Sequence, residues 1–141
     1  MKTLLADTGY WIALLNPKDD LHRRAREISA SLGSARIVTS QMILAELLND
    51  FAGRGEKPRM AAKHLVEQIN VSPRVFVVSQ TAEQFGAAMV LYGERCDKSW
   101  SLTDCASYLI MTSLSIKEAL TYDKHFEQMG FTALLRDETL G

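Results

Sequence analysis

The stretch Thr3-Leu4-Leu5-Ala6-Asp7-Thr8-Gly9, close to the start of the chain, is the part of the sequence from which the fold is first inferred. Thr3 to Ala6 predict a short buried strand, and Asp7-Thr8-Gly9 ends it. The apolar residues Tyr10 to Leu15 then predict a short helix that ends before Pro17. The chain therefore opens with a strand, an acidic turn and a helix.

Short apolar runs continue to alternate with amphipathic segments along the chain. The further predicted strands are Arg36–Thr39, Val75–Val78, Glu118–Thr121 and Thr132–Leu135. The predicted helices are capped by Asp20 and by Ser40, open near Pro58, run from Thr81 to about Glu94, span Leu102–Leu114 and lie near Phe126. Leu102–Leu114 is apolar on almost every side, which is typical of a buried helix. This alternation predicts an α/β domain with a short, mainly parallel sheet and helices on both faces.

Length and composition indicate a single domain that extends over residues 1–141. Of its 141 residues 47% are hydrophobic and 23% are charged. The net charge of −1 neither supports nor excludes an enzyme that acts on nucleic acid, because an acidic active site would offset basic residues elsewhere. The first apolar run stops at Asp7, too short for a signal peptide, and no run is long enough to cross a membrane. Cys96 and Cys105 make no disulfide framework, and we expect a cytoplasmic protein.

Four acidic residues, far apart in the sequence, lie near predicted strand ends or in the helices that follow. They are Asp7, Glu46, Asp104 and Asp123. Because ligands of parallel sheets bind beyond the carboxyl ends of the strands, these side chains are expected in one crevice. Two carboxylates ~4 Å apart repel by ~4 kcal/mol at an effective dielectric constant of about 20, so the cluster needs protonation, a basic side chain or a cation. Oxygen ligands favour Mg²⁺ or Mn²⁺, and such sites commonly act on phosphates.

Each of these acids also has a purely structural interpretation. Asp7 and Asp123 are both placed to cap a following helix. Glu46 borders the apolar stripe of its helix, and its structural interpretation is a half-exposed glutamate at that edge. Asp50, four residues later, adds a like charge whose repulsion a cation could offset. Ser101-Leu102-Thr103-Asp104 resembles a capping box in which Asp replaces the usual Glu or Gln.

Motifs of several other enzyme classes are missing from the sequence. Cys96 and Cys105 lie nine residues apart and lack the CxxC or His spacing of a zinc site. The sequence has no GxxxxGK[ST], no GxGxxG and no Ser or Cys nucleophile motif. His125 is near enough to Asp123 to approach a phosphate, but we interpret it as a packed or surface residue. Asp97 is interpreted as a loop residue.

Four segments of the sequence resemble proteins of the PIN-domain family. They are Leu5-Ala6-Asp7-Thr8-Gly9, Ala45-Glu46-Leu47, Trp100-Ser101-Leu102-Thr103-Asp104-Cys105 and Leu120-Thr121-Tyr122-Asp123-Lys124-His125-Phe126. Their order and spacing match along almost the whole chain. The similarity is greatest to compact prokaryotic members, which include VapC-type toxins of toxin–antitoxin pairs. This resemblance implies a three-layer α/β/α fold and a metal-dependent ribonuclease that leaves a 5′-phosphate and a 3′-hydroxyl.

The resemblance also implies roles for particular residues and the identity of partners. The acids of the family correspond to Asp7, Glu46, Asp104 and Asp123, with Mg²⁺ or Mn²⁺ as the metal. Hydroxyl groups that line the site in the family correspond to Thr8 and Thr121. The implied partners are an RNA substrate, an antitoxin that inserts a basic side chain among the acids, and a second copy of the chain.

Several residues are candidates for holding RNA beside the acidic pocket. Those that could contact phosphates are Arg54, Lys57, Arg59, Lys98 and Lys124, and Trp100 could stack on a base. The alternative is that the basic turn is an ordinary solvated loop and that Trp100 packs at the edge of the sheet.

Two other classes of function remain to be weighed against the ribonuclease. One is a catalytically silent module that binds RNA or a partner protein and uses the acids as helix caps. The other is a phosphatase or phospho-receiver domain, which also carries an acid after its first strand. This second class is disfavoured because Gly9 stands where the phosphatase needs a second acid and Thr8 where the receiver needs one.

Overall fold

The computed structural model describes residues 2–136, which form a five-stranded sheet between two groups of helices. The strands are β1 (Thr3–Ala6), β2 (Arg36–Ser40), β3 (Val75–Val78), β4 (Glu118–Leu120) and β5 (Thr132–Ala133). They lie in the order β3-β2-β1-β4-β5, and each neighbouring pair is parallel. The predicted α/β fold with a short parallel sheet is confirmed, although β5 is shorter than predicted.

Helices on the two faces of the sheet complete the three layers. They are α1 (Thr8–Leu15), α2 (His22–Ser31), α3 (Gln41–Phe51), α4 (Glu56–Val71), α5 (Ala82–Glu94), α6 (Leu102–Ser113) and α7 (Lys124–Gln128). Helices α1 to α4 contact one another, whereas α6 packs against α5 and α7. The chain crosses the sheet in one direction from β1 to β3 and returns to β4, so right-handed connections place the two groups on opposite faces. No helix of the described part of the chain is both long and apolar enough to span a membrane.

The strand order determines where this fold has a crevice. Strand β1 is central, and Leu4, Leu5 and Ala6 are completely buried. It pairs with β2 on one side and with β4 on the other. The chain leaves these neighbouring strands in opposite directions, so the order reverses between β1 and β4. A crevice at their carboxyl ends is the usual ligand site of an open parallel sheet.

Most predicted helix starts are confirmed, but one cap is wrong. Ser40 Oγ accepts a hydrogen bond from the Ile43 amide, and Thr81 forms a capping box at the start of α5. Asp20 does not cap α2, which begins two residues later at His22. Asp19 is the residue that orders this turn, because its Oδ1 accepts a hydrogen bond from the Leu21 amide.

Helix α6 is buried along most of its first half but only at Met111 in its second half, so the prediction of a helix buried along its whole length is wrong. Residues 103–107 are buried, whereas Thr112, Ser113 and Leu114 are exposed. Towards this end α6 borders an open groove of about 300 Å³ that it shares with α5. The apolar composition of α6 therefore reflects both a buried contact and an uncovered surface.

Candidate metal centre

The four predicted acids line one open cleft of about 420 Å³ at the carboxyl ends of β1 and β4. Asp7 follows β1, and Glu46 extends from α3. Asp104 lies in the first turn of α6, and Asp123 precedes α7. The expectation that the four side chains share a crevice is confirmed, whereas their roles in metal binding stay predictions.

Asp7 is a buried acid whose charge has little compensation. It precedes α1, but its side chain makes no capping hydrogen bond, so the interpretation as a helix cap does not explain it. Its Oδ2 accepts a hydrogen bond from Thr121 Oγ1 at 2.9 Å. The pKa of the Asp7 carboxyl is raised from 3.8 to about 7, mainly by burial and further by the charges of Asp104 and Glu46. The backbone amide of Thr8 and the hydroxyl of Thr121 act in the opposite direction. The carboxylate form of Asp7 would therefore gain from a cation in the cleft.

Glu46 is held in the cleft by a hydroxyl group of another helix. Its Oε1 accepts a hydrogen bond from Thr8 Oγ1 at 2.6 Å, which ties α3 to the start of α1. Asp50, one turn later, instead forms an ion pair with Arg54. Arg54, beyond the end of α3, thus places a positive charge beside Asp50, so the repulsion between Glu46 and Asp50 gives no separate support for a cation.

Asp104 belongs to a helix cap and to the cleft at the same time. Its amide donates to Ser101 Oγ at 3.0 Å, and its Oδ2 accepts from the Ser101 amide at 3.0 Å, which completes the predicted capping box. The same Oδ2 lies 3.0 Å from His125 Nδ1. No hydrogen bond from the described residues reaches Oδ1. One oxygen of Asp104 thus fixes the side chain and the other remains available to a ligand.

Asp123 likewise combines a cap with a place in the cleft. Its Oδ1 accepts a hydrogen bond from the His125 amide at 2.9 Å and so caps α7. The Asp123 amide donates to Thr121 Oγ1, the hydroxyl that donates to Asp7. Thr121 therefore orients two of the acids, and Thr8 orients a third, which is the supporting position predicted for both threonines.

His125 lies in the cleft, although its sequence context indicated a packed or surface residue. Its Nδ1 lies 3.0 Å from Asp104 Oδ2 and 3.1 Å from Asp123 Oδ1. Its Nε2 lies 3.1 Å from Ser99 Oγ. The spacing of Asp123 and His125, two residues apart at a helix start, was the available signal. The contact with Asp104, however, depends on how α6 and α7 pack.

The donor set of the cleft fits a divalent cation. No Lys or Arg is found among the described residues that line it, and His125 is the basic side chain of that lining. One potential ligand atom from each of Asp104, Asp123 and His125 lies within 4.8 Å of the others. Carboxylate oxygens suit both Mg²⁺ and Mn²⁺.

Other candidates from the sequence lie outside the cleft. Asp97 forms an ion pair with Arg95, as expected of a loop residue. Trp100 is buried, with the Arg95 guanidinium 4.7 Å from one ring and Tyr108 stacked at 6.1 Å. Its Nε1 donates to Gln128 Oε1. Trp100 is thus a packing residue, and the interpretation that it stacks on a base is wrong.

The basic candidates are divided between two regions. Lys98 lines a small pocket beside the cleft, which shares Ser99 and Ser101 with it. Arg54 and Lys57 line a different groove, between the end of α1 and the start of α4. Arg59 donates to the Ala52 carbonyl oxygen, at the turn between α3 and α4. Of these residues, Lys98 is placed to contact a phosphate next to the acids.

Comparisons with known proteins agree with the fold. The family model of the PIN domain matches residues 4–132. The 23S rRNA-specific endonuclease VapC20 of Mycobacterium tuberculosis, from strains H37Rv and CDC 1551, is 30% identical over 131 residues, which are 91% of this chain and 95% of that protein. The crystal structure of M. tuberculosis VapC20, described as a sarcin–ricin loop cleaving toxin, superimposes with a TM-score of 0.82 at 26% identity. That superposition covers 92% of this chain and 96% of the other.

Proposed function

Since the chain belongs to the PIN-domain family, we propose that it is a metal-dependent endoribonuclease that hydrolyses RNA phosphodiester bonds at the acidic cleft. The observation that carries the proposal is the convergence of Asp7, Glu46, Asp104 and Asp123 on one cleft without a Lys or Arg among its described lining residues. A purely structural set of helix caps does not require this convergence. It also does not explain why Asp7 is buried without a capping hydrogen bond.

The proposed roles follow from the burial of the four acids and from the hydrogen bonds that their oxygens already accept. Asp7 and Asp104 would be the main metal ligands, because both are buried in the cleft. Glu46 and Asp123 would bind a second ion or hold water in the cleft. The Thr8 hydroxyl orients Glu46 and the Thr121 hydroxyl orients Asp7, each by donating a hydrogen bond. His125 contacts Oδ2 of Asp104 and so leaves Oδ1 of that carboxylate for the metal.

Mg²⁺ or Mn²⁺ is the proposed cofactor. When bound, it would supply the positive charge that favours ionisation of the attacking water and stabilises the phosphate in the transition state. Binding would also remove the proton that Asp7 retains below about pH 7, so metal affinity should fall as the pH decreases through that value.

The relatives suggest the class of RNA. Since similar proteins are named for cleavage of 23S rRNA and of the sarcin–ricin loop, we propose ribosomal RNA as the substrate. An rRNA substrate would require a cytoplasmic protein. The same relatives support the proposal that the chain is the toxin of a toxin–antitoxin pair. The acidic cleft suits an antitoxin that inserts an Arg or Lys side chain.

The first experiment is cleavage of ribosomal RNA, both free and within ribosomes, by the purified chain. We expect discrete products with 5′-phosphate ends in Mg²⁺ or Mn²⁺ and none in EDTA. In parallel, either metal should raise the melting temperature, because a ligand that binds the folded state stabilises it. Heat-treated protein and a chain carrying Asp104→Asn control for contaminating ribonuclease.

The combination of the two readouts separates the proposal from its alternative. Neither cleavage nor a metal-dependent rise in melting temperature would contradict the nuclease and favour a silent module that binds RNA or a partner protein. A rise without cleavage of free rRNA, ribosomes or tRNA would retain the metal centre and reject the proposed substrate.

A homodimer is proposed from the family, and the exposed side of α5 supports it. Phe85, Met89 and Val90 on α5 are 43%, 54% and 62% exposed. We expect Met89→Asp to weaken self-association by about 30-fold or more, as for a central interface residue, and to shift the mass measured by light scattering from dimer to monomer. Met60→Asp is the matched control, because Met60 is 53% exposed on α4 in the other helix layer. A wild-type chain that is monomeric at all concentrations would contradict the proposal.

A further inference from the structure

An aromatic ring stands at the edge of the acidic cleft and has no role in the chemistry described above. Tyr122 follows β4, lines the cleft together with Thr121 and Asp123, and is 49% exposed. It is the only Phe, Tyr or Trp among the described residues that line the cleft. An exposed aromatic ring beside the proposed ribonuclease site is available to stack on a base.

One face of this ring is covered by an arginine that is itself held in place. The Arg136 guanidinium lies 4.7 Å from the centre of the Tyr122 ring. Its Nη1 donates to the Tyr122 carbonyl oxygen at 3.1 Å, and its Nε is 3.0 Å from Glu127 Oε1. Two contacts thus keep the guanidinium in position against the ring. No second ring or guanidinium stacks on Tyr122 within the part of the chain that the structure describes.

The contrast with Trp100 shows that this arrangement is specific to Tyr122. Trp100 also carries an arginine, Arg95, but Tyr108 stacks on it and the side chain is buried. Trp100 therefore has no free face to offer to a base. Tyr122 also has an arginine, Arg136, against its ring, but about half of its surface is exposed.

We propose that Tyr122, backed by Arg136, is a stacking platform for a nucleobase of the RNA next to the cleaved phosphate, an inference that rests on the proposed ribonuclease function. Stacking on an aromatic ring tolerates any base and holds the strand by its base rather than by its charge. That property is useful here, because the carboxylates of the cleft repel the phosphate backbone in the absence of metal.

The test compares three variants on a single-stranded RNA that the wild-type protein cleaves at one mapped site. Tyr122→Leu removes the aromatic face, Tyr122→Phe retains it, and Phe76→Leu is the control. Phe76 is a 61% exposed aromatic residue on β3, at the far edge of the sheet. We expect kcat/KM to fall about 10- to 100-fold for Tyr122→Leu and to remain within about twofold of wild type for the other two.

A set of substrates with one abasic nucleotide at each position in turn distinguishes stacking from a structural effect. Wild type and Tyr122→Phe should lose a similar factor at one position beside the cut, and Tyr122→Leu should be insensitive there. If Tyr122→Leu cleaves like Phe76→Leu, or loses activity but keeps the abasic penalty, the proposal is overturned.

A binding measurement keeps this test separate from the nuclease itself. In an Asp104→Asn background with Mg²⁺, a single-stranded RNA of about eight nucleotides that carries one 2-aminopurine should show quenched fluorescence when bound. Tyr122→Leu should abolish the quenching and raise Kd about 10-fold or more. Quenching that is unchanged in Tyr122→Leu would reject the platform. If neither the wild type nor any variant cleaves RNA, but quenching is seen and is lost in Tyr122→Leu, the ribonuclease is rejected and the stacking platform is retained.

Discussion

Asp104→Asn is expected to lower metal-dependent RNA cleavage by about 10³-fold, because a metal contributes several kcal/mol of charge stabilisation and ~1.4 kcal/mol corresponds to a factor of ten. The substitution removes the charge from the oxygen that no described residue engages. It keeps an oxygen that can accept the Ser101 amide, so α6 should retain its cap. Initial cleavage rates at saturating Mn²⁺, together with melting curves with and without metal, measure both consequences.

A second capping box in the chain provides the control for Asp104. Thr81 caps α5 in the same manner, away from the cleft. Thr81→Ala should lower stability by about 1 kcal/mol and leave the cleavage rate near that of wild type. If Asp104→Asn instead cleaves within about tenfold of wild type and loses only stability, Asp104 is a helix cap and not a ligand.

Asp7→Asn is expected to stabilise the metal-free protein at pH 8 and to abolish cleavage, two effects of opposite sign. The folded-state pKa of Asp7, about 7, lies above the ordinary value of 3.8. Below pH 3.8 the carboxyl is protonated in the folded and unfolded states, and its burial costs nothing extra. Between pH 3.8 and about 7 the unfolded chain releases the proton while the folded chain keeps it, so stability falls as the pH rises through this window.

The size of the effect follows from the same shift. At ~1.4 kcal/mol per pKa unit, the rise from 3.8 to about 7 corresponds to about 4 kcal/mol, so the free energy of unfolding at pH 8 should rise by up to about that amount in Asp7→Asn. Denaturant titrations in EDTA at pH 4 and pH 8 measure this, and the gain should be much smaller at pH 4. Mn²⁺ should raise the free energy of unfolding of the wild-type chain towards that of the variant, and it should leave the variant unchanged. Equal stability of the two chains at pH 8 in EDTA would show that Asp7 is not destabilised by its charge.

The sequence by itself determined the layers of the fold and the members of the acidic cluster. The short apolar run Thr3 to Ala6 predicts a buried strand, and Asp7 follows directly after it. Ser101 and Asp104 have the spacing of a capping box, which is a local interaction and can therefore be predicted from the sequence. Local periodicity and short motifs fix such features because the atoms involved lie within one or two turns of each other.

Contacts between distant segments were decided only by the tertiary structure. The order β3-β2-β1-β4-β5 creates the crevice between β1 and β4, and a strand pattern does not encode which strands become neighbours. His125 reaches Asp104 because α7 packs against α6. Arg54 neutralises Asp50, and Tyr108 covers Trp100, so two apparent functional signals were packing and pairing instead. Side-chain exposure, which separates Tyr122 from Trp100, depends on the burial that the whole fold imposes, and no local pattern specifies it.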